Sequence, residues 1–393
     1  MILSHRIALD PTAKQRIAFC RACGVARYAY NWALAEWKRQ YEAGEKPNAL
    51  ALKRQWNQEK PKWVYDSPKD ANQAPFAHLQ SAFQKFFKKR ANFPQFKCKG
   101  VHDCFSVSND KFQVSGKRVR LPRIGTVRMR EALRFDGKIV SGAVSRDADR
   151  WFLSVAVDAG PKYSRPRTGS AVIGVDLGVK SAATLSTGEH IEGPKPLRLL
   201  IDRMKTLQRR LSRKQKGSKN RVKAKAKVSR LHRRIRCVRS DFLHKLTTRL
   251  CRENQTAVIE DLNVRGMMAN HKLARAISDI GFHEFRRQLQ YKGALHGTII
   301  VVADRWFPST KTCHRCAAVV DMPLSERTFH CDCGYTEDRD INAALNLRTL
   351  GLRGINACGH GSSGSQLPSG VEPQNETTVV EAGTTPCSPL STK

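Results

Sequence analysis

Three carboxylates in this 393-residue chain stand where metal-assisted chemistry would need them. Asp176 follows the apolar run Ala171-Val172-Ile173-Gly174-Val175, and Glu260 follows Ala257-Val258-Ile259. Asp340 opens the helical pattern of Asp338-Arg339-Asp340-Ile341-Asn342-Ala343-Ala344. Short apolar runs bounded by turn signals read as buried strands. Two acids therefore end strands, one begins a helix, and all three can converge at one edge of a sheet. Phosphodiester hydrolysis uses such a cluster. Two hard cations about 3.5–4 Å apart bind a nonbridging phosphate oxygen, activate water and stabilise the leaving oxygen. Mg²⁺ suits carboxylate oxygens and keeps part of its water shell. Without cations the three acids would raise one another's pKa. Two of them also have a plainer explanation: a lone Asp after a strand caps a turn, and Asp340 can cap its own helix. Asp338 is a neighbouring candidate for the third position.

The cysteines fall into two classes. Cys313-His314-Arg315-Cys316 and Cys331-Asp332-Cys333-Gly334 are separated by fourteen residues. Two close thiolate pairs suit tetrahedral, structural Zn²⁺. The second pair is one residue tighter than the usual knuckle, and His314 or His330 can substitute as a ligand. The other eight cysteines are scattered, which reads as reduced thiols in the cytosol and not as a disulfide framework. Cys20 and Cys23 form a further C-x-x-C inside an amphipathic helix with no second pair nearby, and read as core packing.

The charge is far from neutral. Seventy Lys and Arg against 34 Asp and Glu leave +36. Such self-repulsion implies an anionic partner. Nucleic acid fits best, since a polyphosphate releases counterions on binding. An anionic membrane is the rival, but no apolar run approaches the length of a span and no signal peptide is visible. Between Asp202 and Asp241 no acid occurs, and close to half the positions are Lys or Arg. Like charges at i,i+4 destabilise a helix unless a polyanion lies along it.

These groups need a scaffold. Residues 1–10 read as a strand, and Asp10-Pro11 opens a helix carrying Ile17, Cys20, Val25, Tyr28, Trp32 and Trp37 on one face. Helix continues to about residue 90, with Phe76, Leu79, Phe83 and Phe86 as its core stripe. From Phe105 to Val157 alternation predicts an antiparallel sheet or small barrel of five to seven strands. Residues 159–169 read as a linker. Asp176 and a returning strand at 182–185 form the first hairpin of an RNase H architecture. A helical hairpin spans 196–250, turning at Gly217-Ser218. Its apolar positions are Leu197, Leu200, Met204, Leu207 and Leu211, then Leu231, Ile235, Val238, Phe242, Leu246 and Leu250. A helix at 276–296, a strand at 298–303 and a helix at 340–348 follow. Beyond Gly351 the composition predicts a disordered tail.

At these residues the chain resembles the TnpB family, RNA-guided nucleases encoded by insertion sequences and related to miniature type V CRISPR effectors. Gly174-Val175-Asp176-Leu177-Gly178 resembles the first RuvC-type motif, Ile259-Glu260-Asp261-Leu262 the second, and Asp340-Ile341-Asn342-Ala343-Ala344 the third. Phe307 to Cys313 resembles the approach to the family's zinc-bearing insert. Asp241 to Lys245, and Pro11 to Asn31, are also similar. The resemblance implies a multidomain α/β protein. A small β-barrel (1–10 and 93–165) would be interrupted by a helical recognition domain (11–92). An RNase H-like nuclease domain (166–350) would follow, with a zinc-binding insert at 304–336, and residues 351–393 would be the tail. Catalysis is carried onto Asp176, Glu260 and Asp340 with Mg²⁺, and zinc onto Cys313, Cys316, Cys331 and Cys333. The implied partners are a guide RNA from the transposon end and double-stranded target DNA, in a prokaryotic cytoplasm at the nucleoid. Lys69, Asn72 and Gln73 match a region near the duplex motif beside the target. The competing readings are a guided repressor without cleavage, a DNA-joining transposase and a miniature CRISPR effector.

Overall fold

The computed structural model describes residues 1–160, 171–323 and 326–358. The chain divides at residue 162 into two compact units. In the first, strand β1 (Ile2–Asp10) points His5, Ile7 and Leu9 inward by simple alternation. Three helices follow: α1 (Ala13–Glu42), α2 (Ala49–Glu59) and α3 (Lys69–Phe87). Then come β2 (Cys104–Ser108), β3 (Gln113–Ser115), β4 (Arg118–Leu121), β5 (Gly125–Met129), β6 (Lys138–Asp147) and β7 (Arg150–Asp158). The seven strands form one antiparallel sheet in the order β2-β6-β7-β1-β5-β4-β3.

The expected barrel is not found among the described residues: β2 and β3 are the two edges, and no pairing joins them. Helices cover the apolar face instead. Phe19 of α1 packs on Phe105 of β2 and Trp151 of β7, with ring centroids 6.0 and 5.0 Å apart. The β2 edge is also occupied, since Asp70 of α3 accepts the Ser108 N–H at 2.9 Å. A sheet whose inner face is filled by a helix gains nothing by curling closed.

Helix α1 begins later than Asp10-Pro11 predicts. Asp10 ends β1 and pairs with Arg130. Thr12 is the cap, in a reciprocal box with Gln15. The buried face also differs: Phe19, Ala22, Cys23, Val25, Ala29, Tyr30, Ala33 and Leu34 are inside, while Ile17, Cys20 and Tyr28 are exposed. Alanines let α3 approach closely, and α3 supplies the large residues Phe76, Leu79 and Phe83.

In the second unit the sheet order is β10-β9-β8-β11-β12. Its strands are β8 (Ala171–Asp176), β9 (Ala183–Leu185), β10 (His190–Ile191), β11 (Asn254–Glu260) and β12 (Ile299–Ala303). The first three are antiparallel, and β11 lies parallel to both β8 and β12. The helices are α4 (Pro196–Ser212), α5 (Lys219–Glu253), α6 (Val264–Ala269), α7 (Ala274–Ile280), α8 (Phe282–His296) and α9 (Arg339–Cys358). A hairpin of β13 (Thr328–His330) and β14 (Thr336–Asp338) precedes α9.

The strands are buried on both faces. Ile173, Val175, Ala257 and Ile259 face a core with Leu243, Leu246, Leu250, Phe285 and Leu289 of α5 and α8. Val172 and Val258 face Leu347 of α9. Lys292 pins α8 to α5, donating to the His244 carbonyl and the Thr247 and Thr248 hydroxyls at 2.7–2.8 Å. Burial pushes its ammonium down to about 8.

The basic hairpin has its own small core of Met204, Val228, Leu231 and Ile235, flanked by Leu197, Leu200, Leu207 and Leu211. Val238 is exposed, because the inward position of the next turn belongs to Arg239, whose guanidinium donates to the Ser278 carbonyl. Buried Asp279 caps α4 by accepting the N–H groups of Leu197 and Arg198, both at 2.9 Å. The predicted 276–296 helix is broken at Gly281, which has φ +82°. The last helix does not stop near 348. It runs to Cys358, and Gly351 lies within it. A Cβ there would fall 2.6 Å from Val258 Cγ2 and 2.8 Å from Val172 Cγ1, so this glycine marks close packing and not a helix end. The expected tail from 359, and most of the expected linker, lie outside the described residues. No described helix is long and apolar enough to cross a membrane.

Candidate active site and cysteine cluster

The parallel register of β8 and β11 pairs Val175 with Ile259, so the last residues of the two strands, Asp176 and Glu260, stand at the same edge of the sheet. The third acid arrives on α9. Gly174 makes this possible: a Cβ on it would lie 1.9 Å from the Ala344 carbonyl oxygen and 2.6 Å from the Arg348 nitrogen. Helix α9 thus rests on bare strand backbone. Asp340 is one helical turn before Ala344, about 6 Å along the axis. Asp176 is two residues beyond Gly174, about 6.6 Å along the strand. The two acids therefore lie at the same end of the sheet.

Their electrostatics record the convergence. Asp176 is buried, and its carboxyl is held well above the usual range by burial, then by the charges of Glu260 and Asp340. Arg339 and the Leu177 N–H oppose this only partly. Glu260 is also raised by burial and by Asp340, while a hydrogen bond from Ser309 acts the other way. Asp340 has Arg327 and Arg339 at 3.9 and 3.8 Å. Three mutually repelling acids with one buried member fit hard divalent cations by the chemistry of the donor set.

Asp338 has a different place. Its Oδ1 accepts the N–H groups of Asp340 and Ile341 at 2.9 and 3.2 Å, which makes it the cap of α9. The capping role considered for Asp340 is thus filled two residues earlier.

Supporting groups that the sequence does not single out surround the acids. Ser309 donates to Glu260 Oε1 at 2.5 Å. Asn346 of α9 donates to the Ser309 and Thr312 carbonyls at 2.8 and 2.6 Å. Asn342 donates to the Thr312 carbonyl at 2.8 Å and accepts the His314 N–H at 3.1 Å. Both asparagines are buried. Their i,i+4 spacing beside the buried Ala343, Ala344 and Leu347 is the one signal that could have exposed them. Together they fasten the loop that holds Ser309 and the first cysteine pair.

The four cysteines meet, with all sulfurs within 4.8 Å of one another. Cys313 and Cys333 sulfurs are 3.7 Å apart, and Cys316 and Cys331 sulfurs 3.5 Å. Four sulfurs at a tetrahedral Zn–S distance of about 2.3 Å would stand about 3.8 Å apart. The short second pair is accommodated by the β13–β14 hairpin: Cys331 and Cys333 flank its tip, where Gly334 has φ +80°. His330 is engaged with Thr336 instead, and the cluster comprises the cysteines alone. Burial pushes the Cys313 thiol up, but backbone N–H groups of Cys316 and Arg315 outweigh it and bring the group down to about 7.

The three residues matched to the duplex motif differ in access. Lys69 is exposed at the start of α3 and Gln73 is half-buried. Asn72 is buried, and its Oδ1 accepts from Gln73 at 2.9 Å and from the Trp56 indole at 3.5 Å.

Gly174→Ala should force α9 away from β8, at a cost of at least ~1–3 kcal/mol typical of overpacked cores. Thermal unfolding of the variant checks this, and an unchanged midpoint would contradict the close approach.

Known proteins resemble this chain over most of its length. Residues 153–271 match a family model described as "Probable transposase", residues 282–347 one described as "Cas12f1-like, TNB domain", and residues 1–46 one described as "Helix-turn-helix domain". A Streptomyces pristinaespiralis protein named "Putative RNA-guided DNA endonuclease" is 41% identical over 89% of each chain. An Escherichia coli K12 protein named "Putative RNA-guided DNA endonuclease InsQ" is 33% identical over 91% of this chain and 94% of its own. Among solved structures, a Cas12f1 chain in complex with guide RNA and target DNA aligns with a TM-score of 0.55. It covers 88% of this chain and 98% of that one at 14% identity, a likeness of fold. The chain belongs to the TnpB family of insertion-sequence proteins.

Proposed function

We propose that this protein is an RNA-guided DNA endonuclease that hydrolyses phosphodiesters at Asp176, Glu260 and Asp340. The observation that carries the reading is the placement of those three acids at one end of the sheet, with α9 packed on Gly174, in a chain of net charge +36. The acids would hold divalent cations such as Mg²⁺, as a two-metal site. Bound there, the cations supply positive charge to a phosphate oxygen and make a water more acidic. The chain's own residues set the geometry. Ser309 fixes one Glu260 oxygen, the asparagines fix Ser309, and Asp338 fixes the start of the helix that carries Asp340.

The basic hairpin would lie along a guide RNA transcribed from the transposon end, and the first unit would read a short duplex motif beside the target, with Lys69 and Gln73 as its accessible candidates. The bipartite organisation proposed is a sheet-and-helix recognition region followed by the nuclease region with its zinc-bearing insert. The protein would act in a prokaryotic cytoplasm, at the nucleoid. Three acids present together favour cleavage over a binding-only repressor. A DNA-joining transposase would need the same acids, so the guide decides. Sequencing the RNA that co-purifies tests it: one structured species is expected, and random fragments would overturn guiding.

Zinc at the cysteine cluster is part of this proposal. Metal analysis should find one zinc per chain. Cys316→Ser should remove it and lower cleavage about tenfold or more, since structural zinc supplies local folding free energy. The first unit should unfold as before. A folded, active, zinc-free protein would remove the site.

A further inference from the structure

Trp306 is the most exposed large apolar residue described, at 85% exposure. An indole so placed loses hydrophobic stabilisation without a partner. Its position is specific. Strand β12 ends at Ala303, directly paired with Glu260. Arg305 then donates to Asp261 at 2.7 Å, and Ser309 reaches Glu260. Trp306 therefore stands between Arg305, tied to the chain neighbour of Glu260, and Ser309, tied to Glu260 itself. The segment is tied back to Asp304: the Trp306 N–H donates to Asp304 Oδ1 at 2.8 Å, and the Phe307 N–H to the Asp304 carbonyl at 3.1 Å.

Beside Glu260 lies a pocket of about 300 Å³. Leu177 and Phe282 give it apolar walls, while Arg265, Arg286 and Arg305 give it positive charge. Asp261 pairs with both Arg286 and Arg305, which orients the two guanidiniums without cancelling their combined charge. Apolar surface interleaved with fixed arginines beside an exposed indole is the chemistry that binds single-stranded nucleic acid: a base stacks on the aromatic face and the phosphates meet the cations.

We infer that Trp306 is a positioning residue on which a base of the unpaired DNA strand stacks next to the scissile phosphate, with Arg286 and Arg305 receiving the neighbouring phosphate. The inference rests on the nuclease reading for its substrate, but its test does not depend on cleavage alone. In steady-state cleavage of a guide-matched double-stranded DNA by the RNA-loaded protein, Trp306→Ala should raise KM about 5- to 150-fold, the range of one lost base–aromatic stack. Trp306→Phe should restore most of it. Neither change should move the unfolding midpoint, because the side chain is solvent-facing. In parallel, a 5-iododeoxyuridine oligonucleotide is photocrosslinked to the RNA-loaded protein in Ca²⁺, and the attachment site is located by mass spectrometry. Attachment at Trp306 is expected. Cleavage by the parent with unchanged KM in Trp306→Ala, and no crosslink there, would overturn the stacking role and leave the nuclease reading standing. A crosslink at Trp306 in a parent that never cuts would do the reverse. Absence of both would sink both.

Discussion

Asp176→Ala should lower guided cleavage at least about a thousandfold, equivalent to ~4 kcal/mol of transition-state stabilisation, while RNA-directed DNA binding stays within a few-fold. A carboxylate that holds cations against charge developing in the transition state acts on the rate. The basic hairpin, α4 and α5, is a separate element with its own core and should still hold nucleic acid. Glu260→Ala and Asp340→Ala should behave alike. Double variants should be hardly worse than singles, because groups that act as a unit are not additive. Mg²⁺ and Mn²⁺ should support cutting, and Ca²⁺ poorly, since its looser coordination positions phosphate less well. Asp338→Ala is the informative neighbour. Losing a helix cap costs about 1 kcal/mol, so stability should fall while cleavage persists. If Asp338→Ala abolished cutting and Asp340→Ala did not, the third ligand would be misassigned. Rates of single-turnover cleavage, alongside gel-shift affinities, separate these outcomes.

The second large effect is in salt. If six to ten phosphates are neutralised, RNA affinity should fall about 10³- to 10⁵-fold between 50 and 200 mM salt. The motivation is the net charge of +36 and the acid-free stretch on α4 and α5. Substituting four exposed hairpin lysines by Gln should flatten the log–log slope by roughly 0.7–0.9 for each phosphate no longer neutralised. A flat salt dependence in the parent would show that the charge has another purpose.

Much of the site is legible in the sequence because buried parallel strands read as unbroken apolar runs. Val172 to Val175 and Ala257 to Ile259 are such runs, and the acids that end them stand out. Position on α9 is harder. Asp338 and Asp340 both lie at capping distance from the helix start, and only the placement of backbone N–H groups shows that Asp338 is the cap. Ser309 is invisible beforehand because its hydrogen bond to Glu260 spans 49 residues of chain. Gly351 misleads, since a glycine after an apolar stripe ordinarily marks a helix end, yet here it admits two valines. The α1 face misleads for a related reason: its packing is carried by Ala22, Ala29 and Ala33, which a search for large residues passes over. Alternation between 105 and 157 reveals strands but not closure, which depends on Phe19 arriving from a helix.

The most direct test of RNA guiding is reprogramming. The protein is purified with its RNA, and the segment that pairs with DNA is replaced by an unrelated sequence of equal length. Both complexes are then given plasmids carrying either target, with Mg²⁺. Each complex is expected to cut only the plasmid matching its own RNA, and Asp176→Ala to cut neither while binding the matching one. Cleavage that ignores the change of RNA, or that persists in Asp176→Ala, would contradict guided hydrolysis at these acids.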